Sequence, residues 1–302
     1  MKQQKDFDVL IIGGSYSGLS AALALGRSLR HVLILDAGQP CNRQTPHSHN
    51  FITHDGETPR NISEKAKEQV LNYPTVIFQE DFVVSGKKTA AGFEVETEKG
   101  NNFRGKKLIF ATGVKDIMPN IEGFSDCWGI SAIHCPYCHG YEFKNAKTGI
   151  MANGERAFHI AALVRNLTKE LTILTQGKAE FTEEQFQKLK KNRIKINEIP
   201  LQSISYENGY MKSVHFADGK EENFKAVYAA LPFEQSINLP VALGCELTEI
   251  GHLKVDFLQK TTIPGIFACG DNASPMRSVA YAVATGNIAG AMANNELCVA
   301  DF

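Results

Sequence analysis

The chain lacks a second Cys-x-x-Cys pair, a long apolar run and an excess of charge of either sign. Each absence excludes something. With 32 Lys and Arg against 33 Asp and Glu, the formal net charge is −1, so no nucleic acid partner is implied. No apolar run approaches the roughly 20 residues of a membrane span, and Met1 to Asp8 has no apolar signal core. A soluble, cytoplasmic protein without a membrane partner is expected. There is no low-complexity linker and no solenoid repeat. Of seven cysteines, Cys41, Cys127, Cys245, Cys269 and Cys298 are scattered, which with the odd count argues against a disulfide framework. Those five read as small apolar fillers. At 302 residues the chain is long enough for two domains with their own cores.

What is present centres on Cys135-Pro136-Tyr137-Cys138-His139-Gly140. Two cysteines at this spacing in a reducing compartment are more often a redox centre than a staple. Zinc wants four ligands, and His134 and His139 flank the pair too tightly to complete a tetrahedron, so no metal is expected. Pro136 suits the first position of a helix, where its missing N–H costs nothing. Cys135 then stands at the helix start, where partial positive charge favours a thiolate. His139 follows and can trade protons with the pair.

Upstream, Val9-Leu10-Ile11-Ile12 reads as a buried parallel strand running into Gly13-Gly14-Ser15-Tyr16-Ser17-Gly18. A helix over Leu19–Arg30 and a strand over His31–Leu35, ending at Asp36, complete a βαβ unit with a dinucleotide fingerprint. Gly13 permits the tight turn, and Gly18 lets helix and strand approach. The helix N-terminus offers N–H groups to a pyrophosphate. Asp36 can accept from a ribose diol and would repel a 2′-phosphate, which suits FAD or NAD. The middle glycine of the pattern is Ser15, which crowds the site slightly.

Gly38 to Gly56 is a polar loop with Cys41, Asn42, Arg43, His47, His49, His54 and Asp55; it fits a solvated loop or the wall of a site equally well. Thr58 and Pro59 begin a helix reaching about Tyr73. Short strands are expected near 76–78, 82–85 and 93–97, with polar turns at 86–92 and 99–102. Leu108–Gly113 is another buried strand ending in a tight turn at Ala111-Thr112-Gly113. Near the end, Ile266–Ala268 is a strand, Gly270 allows close backbone approach, and Asp271 suits a helix cap. The helix expected over Arg277–Asn295 has a face of small residues, open to close packing against a cofactor or a second subunit.

These motifs, in this order, resemble the low-molecular-weight thioredoxin reductase family of flavoproteins. The resemblance rests on the first fingerprint, the Ala111-Thr112-Gly113 turn, the Cys-x-x-Cys before a second nucleotide fold, and Gly265-Ile266-Phe267-Ala268-Cys269-Gly270-Asp271. It implies an α/β fold with two Rossmann-like (three-layer ββα) nucleotide-binding domains, the second inserted in the first. The FAD domain would be residues 1–115 and 239–302, and the inserted NAD(P)-binding-like domain, carrying the Cys pair, 116–238. FAD would be held by Gly13, Gly14, Ser15, Gly18, Asp36, Ala111, Thr112, Gly113, Gly270, Asp271, Arg277 and Ser278. Arg277 matches a family arginine near the flavin; the glutamine that usually follows is Ser278 here. The family also implies a homodimer, and Cys138 as the sulfur nearer the flavin.

The chain departs from the reductases in the inserted domain. The second fingerprint reads Ala152-Asn153-Gly154-Glu155-Arg156-Ala157, with Ala152 in place of the first glycine. A Cβ there disfavours φ > 0 and fills space the turn would use. Gly154 and Ala157 remain at the other two signature positions. After the strand Leu171–Leu174, relatives that use NADPH carry a His-Arg-Arg cluster for the 2′-phosphate; here Thr175-Gln176-Gly177-Lys178 leaves only Lys178. Charge-assisted hydrogen bonds are worth about 1.5–3 kcal/mol each, so losing two removes about two to four decades of affinity. Neither NADPH nor NADH is clearly favoured. The Cys-Pro-x-Cys-His-Gly form, with His139 where reductases commonly have aspartate, resembles flavin-dependent dithiol oxidases.

The combined expectation is an FAD-dependent dithiol/disulfide oxidoreductase. Cys135 would exchange with the substrate, and His139 would move the proton. The substrate would be a small dithiol or disulfide, or a thioredoxin-like protein. Three readings compete: a dithiol oxidase using oxygen or another acceptor, an NAD(P)H-dependent disulfide reductase, and a flavin-bound redox sensor.

Overall fold

The structure, a computed structural model, describes residues 6–302, so the Met1–Lys5 part of the N-terminal stretch lies outside it. The chain is α/β and forms two compact units. One comprises Met1–Arg43, Phe51–Lys115 and Phe233–Phe302. The other, inserted in it, comprises Asp116–Pro232 together with the short segment Gln44–Asn50.

In the first unit, Val76–Glu80, Val32–Asp36, Asp6–Ile12 and Asn102–Phe110 lie side by side and parallel. Ile266–Ala268 pairs with the second half of Asn102–Phe110. The first half of that strand pairs antiparallel with Gly92–Thr97, which pairs with Val83–Thr89. Successive residues of a strand face opposite ways, and here both faces are buried. Val9 and Ile11 pack with the helices, while Leu10 and Ile12 pack with the antiparallel strands and Leu239. That is why the sequence reads as a continuous apolar run there. The polar turn expected at 86–92 is strand as far as Thr89, because Gly92–Thr97 supplies its backbone partners.

The first helix spans Tyr16–Arg27 and the last Val279–Asp301. Both begin a few residues away from the positions expected. The small face of the last helix packs against the first helix of its own unit. A Cβ on Gly286 would strike the backbone of Ser17, and one on Gly290 that of Ala21. Two helices approach this closely only where one of them presents hydrogen atoms instead of side chains. Pro59–Leu71 forms as the sequence implies, with Thr58 Oγ1 accepting from Asn61 N.

The second unit is a parallel sheet in the order Lys195–Asn197, Leu171–Leu174, Thr148–Met151, Ala226–Ala229, Ala132–Ile133. Gly154–Val164 is its crossover helix. A separate antiparallel sheet of Leu201–Glu207, Tyr210–Phe216 and Glu221–Glu222 closes a second core around Phe124, Phe216 and Phe224. Both units are therefore Rossmann-like.

Of the five scattered cysteines, Cys127, Cys245 and Cys269 are buried fillers, but Cys41 and Cys298 are exposed. Burial raises the thiol of Cys269 to about 12, which keeps it inert.

Candidate active site

In the first unit the glycine turn leaves the strand Asp6–Ile12 and enters the first helix. Gly13 has φ +102°, and a Cβ on it would meet the carbonyl of Ala111. A Cβ on Gly18 would meet the carbonyl of Gly13 and stand 3.3 Å from Ala111 Cβ. Ala111 therefore has to stay small, and Gly13 and Gly18 have to stay glycine. Ser15 takes the N-cap position but makes no side-chain cap bond. The first N–H groups of this helix are left to a ligand.

Asp36 shapes the turn as well as facing its site. Its Oδ1 accepts from Gly14 N at 2.7 Å and its Oδ2 from Gly38 N at 3.1 Å. Two of its roughly four acceptor positions remain. Around the neighbouring strand ends, Gly113 has φ +64° and Gly270 φ +82°. Gly270 N donates to Thr285 Oγ1 at 3.1 Å. Asn272, fully buried, donates to Phe110 O at 2.9 Å and to Thr112 Oγ1 at 3.3 Å, and its Oδ1 has no protein partner. A buried acceptor without a partner is a place for a ligand or water donor.

Asp271 does not cap the next helix. It pairs with Arg277, Nε to Oδ2 at 3.4 Å, and accepts from Cys41 Sγ at 3.9 Å. The cap is Ser278, whose Oγ accepts from Tyr281 N at 3.2 Å. Sequence reasoning missed Asn272 and Thr285, though an Asn after Gly-Asp in a buried turn was a visible signal.

In the second unit Cys135 and Cys138 form a disulfide, with Cα atoms 5.3 Å apart. Cys135 is the N-cap of a single helical turn, Pro136–His139, with Pro136 in its first position. Its Sγ accepts from Cys138 N at 3.1 Å. That amide points at the sulfur that would carry the charge once the pair is reduced. Tyr137 and Tyr141 are exposed on either side. His139 is held below the ordinary imidazole range, first by burial and further by His49, while Glu142 acts in the opposite direction. A half-buried imidazole of this kind stays neutral near neutral pH and can accept a proton.

The matching family model, pyridine nucleotide-disulphide oxidoreductase, covers residues 7–286. The chain belongs to this family. Among its relatives, thioredoxin reductase sirT of Leptosphaeria maculans is 34% identical over 314 residues, covering 98% of this chain and 96% of that protein. The oxidoreductase from Agrobacterium tumefaciens has a TM-score of 0.91 at 36% identity, covering 98% of this chain and 99% of that one. A putative thioredoxin reductase TrxB from Bacillus anthracis has a TM-score of 0.92 at 29% identity, covering 98% and 100%. The chain is thus a thioredoxin reductase-like thiol-disulfide oxidoreductase, and its family implies FAD and a nicotinamide dinucleotide. No helix among the described residues is long and apolar enough to cross a membrane. The residues of the first unit fit FAD: the glycine cradle has no room for a Cβ, the helix start is uncapped, and Asn272 presents a spare acceptor.

The corresponding turn of the second unit is built differently from the family fingerprint. Ala152 stays out of the left-handed region, and the positive φ falls at Gly154, +56°. Asn153 caps the crossover helix with its own side chain, Oδ1 accepting from Gly154 N at 2.9 Å. The same oxygen accepts from Glu180 N at 3.0 Å, and Nδ2 donates to Lys178 O at 2.9 Å. The loop after Leu171–Leu174 is therefore tied to the helix start. Gln176 is turned to Leu201 N, Lys178 is exposed, Ala157 is buried and His159 faces solvent. The cap could have been read from the sequence, since Asn before Gly at a helix start is a strong N-cap signal.

Proposed function

We propose that this enzyme oxidises dithiols to disulfides through Cys135 and Cys138, using FAD but no nicotinamide dinucleotide, with oxygen or another acceptor downstream. The observation that carries this reading is Asn153. In the first unit the helix start is open; in the second, the equivalent N–H is already bonded to Asn153, and the flanking loop is fastened across it. A dinucleotide phosphate would have to displace three hydrogen bonds before making its own. No arginine stands in the loop of residues 175–178 to compensate with charge.

The first unit is the FAD-binding domain in this reading, with FAD held by Gly13, Gly14, Ser15, Gly18, Asp36, Ala111, Thr112, Gly113, Gly270, Asp271, Arg277 and Ser278. The second unit carries the redox pair. Bound FAD supplies the two-electron acceptor that returns the reduced pair to the disulfide. The protein's own residues perform the exchange. A substrate thiolate attacks Cys135 Sγ, the Cys135–Cys138 bond breaks, and Cys138 leaves as a thiolate that takes up a proton. The second substrate thiol, giving its proton to His139, then attacks the sulfur bonded to Cys135. The substrate leaves as a disulfide and Cys135 as a thiolate, steadied by Cys138 N. A cytoplasmic homodimer fits this reading.

A second reading, an NAD(P)H-dependent reductase of thioredoxin or a small disulfide, is favoured by the relatives' own names. Anaerobic mixing of the yellow protein with NADPH, NADH or a dithiol such as dithiothreitol, following flavin absorbance, separates the two. Bleaching by the dithiol alone, reversed by air, is the expected result. Rapid bleaching by NADPH or NADH would overturn it.

A further inference from the structure

The polar loop that follows the first βαβ unit does not stay with that unit. Its segment Gln44–Asn50 belongs to the unit that holds the redox pair. Thr45 and Ser48 are buried, so the segment is packed and not merely solvated. Gln44 and Thr45 lie against Gly129, where a Cβ would stand 2.9 Å from Gln44 Nε2 and 3.1 Å from Thr45 Oγ1. At the far end of the segment, His49 Nε2 stands 3.4 Å from Glu142 Oε1. Glu142 sits in the short helical turn Tyr141–Phe143, directly after Pro136–His139.

We propose that Glu142, held by His49 of this segment, is the positioning residue that lets His139 accept and release the thiol proton. The proposal rests on the dithiol chemistry above for its purpose, but its test does not depend on that chemistry. When His139 takes a proton, an imidazolium forms in a half-buried place. A carboxylate close by stabilises that charge; positive charge close by opposes it. Glu142 and His49 act on His139 in these two opposite directions. An exposed ion pair contributes little to stability. The field of one carboxylate on a buried neighbour is less screened, so the pair bears more on proton transfer than on folding.

The other ionisable groups nearby do not replace it. Tyr228 is packed against Gly140, and burial, then Glu142, push its phenol up, so it stays neutral. Lys144 Nζ lies over the ring of Tyr141 at 3.8 Å. The rings of His47 and His49 have centroids 6.3 Å apart. Cys135 and Cys138 are the groups whose protons are to be moved. The sequence placed Glu142 at the end of the stretch from Cys135 to Glu142 and His49 in the polar loop, but gave no route to their pairing, because they are 93 positions apart.

The test is the titration of His139, followed by NMR in the full-length flavoprotein with labelled histidine. The resonance is assigned among the nine histidines by its loss in His139→Gln. Glu142→Gln removes the carboxylate and should move the His139 midpoint down. His49→Gln keeps a donor for Glu142 but removes the ring that opposes Glu142 at His139, and should move it up. Glu142→Asp should restore most of the wild-type midpoint. The alkylation rate of the reduced Cys pair near pH 7 should change about threefold in Glu142→Gln, the effect of half a pH unit. Two results overturn the proposal: a midpoint that neither variant moves, or one that both move the same way together with a fall in melting temperature, as a mere loop anchor would give. If dithiols fail to bleach the wild-type flavin while the opposed shifts appear, the oxidase reading fails and the positioning pair stands.

Discussion

Asn153→Ala should loosen the second unit without creating a nicotinamide site. The side chain makes three hydrogen bonds, to Gly154 N, Glu180 N and Lys178 O, at 2.9, 3.0 and 2.9 Å. Loss of an N-cap costs about 0.5–2 kcal/mol, and a further net hydrogen bond about 0.5–1.5. Asn153 is only half-buried, so water replaces part of what is lost, and about 1–3 kcal/mol is expected. For a unit of this size that is a fall in melting temperature of about 4–15 °C, since each kcal/mol shifts it by about 4–8 °C below 100 residues and less above. Scanning calorimetry of wild type and variant, each with and without NADPH at millimolar concentration, makes the assay. A ligand at ten times its dissociation constant stabilises by about 1.4 kcal/mol. Wild-type melting should therefore ignore NADPH. If NADPH raises it by several degrees, the cap gives way to phosphate and the argument from Asn153 is refuted. If the variant melts like wild type, the three bonds do not hold the loop.

Other expectations follow from single contacts. Cys138→Ser should keep its flavin but lose dithiol turnover by at least a hundredfold, since Cys135 then has no disulfide for a substrate thiolate to attack; normal turnover would remove Cys138 from the reaction. Gly290→Val puts a side chain into the backbone of Ala21 and should cost about 1–3 kcal/mol in urea unfolding, more than Ala300→Val at an exposed position of the same helix. Asp271→Ala breaks the pair with Arg277 and should yield a protein purified with less flavin; full flavin content would count against its place in the site. The two histidines His139 and His252 are pushed below 6.5, each first by burial. The unfolded chain therefore binds their protons first as pH falls. The stability they contribute is fully present above about pH 6.5 and is lost as pH drops through their folded values. Urea midpoints should decline between pH 7 and 5, ahead of the carboxylates such as Asp81, which act only at lower pH. A flat profile over that range would contradict the burial argument.

Much of the architecture was legible because it depends on local chemistry. The run Val9–Ile12, the turn from Gly13 to Gly18, Asp36 and the Thr58-Pro59 start each state their conformation within a few residues. The order of these motifs supported the resemblance to the family. What could not be read was decided by distant partners. Gly86–Thr89 looks like a turn and is a strand, because its hydrogen bonds go to Gly92–Thr97. The small face of the last helix was open to a cofactor or a second subunit, and meets the first helix instead. Asp271 looked like a cap because it follows a strand; the helix starts eight residues later, and Ser278 does the capping.

The contrast between the two nucleotide-type turns is the more telling case, because the same motif has two outcomes on one chain. At Gly13 the backbone takes a φ of +102°, Gly14 N is bonded to Asp36, and the helix that follows has no side-chain cap. At the matching position, Ala152 carries a Cβ and does not enter that region, so the reversal is deferred to Gly154. Deferring it by two residues brings Asn153 to the head of the helix, where its amide is the right length to cap Gly154 and to hold Glu180 and Lys178. The methyl group of Ala152 and the cap supplied by Asn153 thus act together, which makes a specific demand on mutagenesis. Ala152→Gly alone should leave the loop closed, because Asn153 still caps the helix. Asn153→Gly alone should loosen the loop but keep the wrong turn. Only the double variant should gain NADH-dependent flavin bleaching; the same gain from Ala152→Gly alone would show that the turn, and not the cap, is what keeps the dinucleotide out.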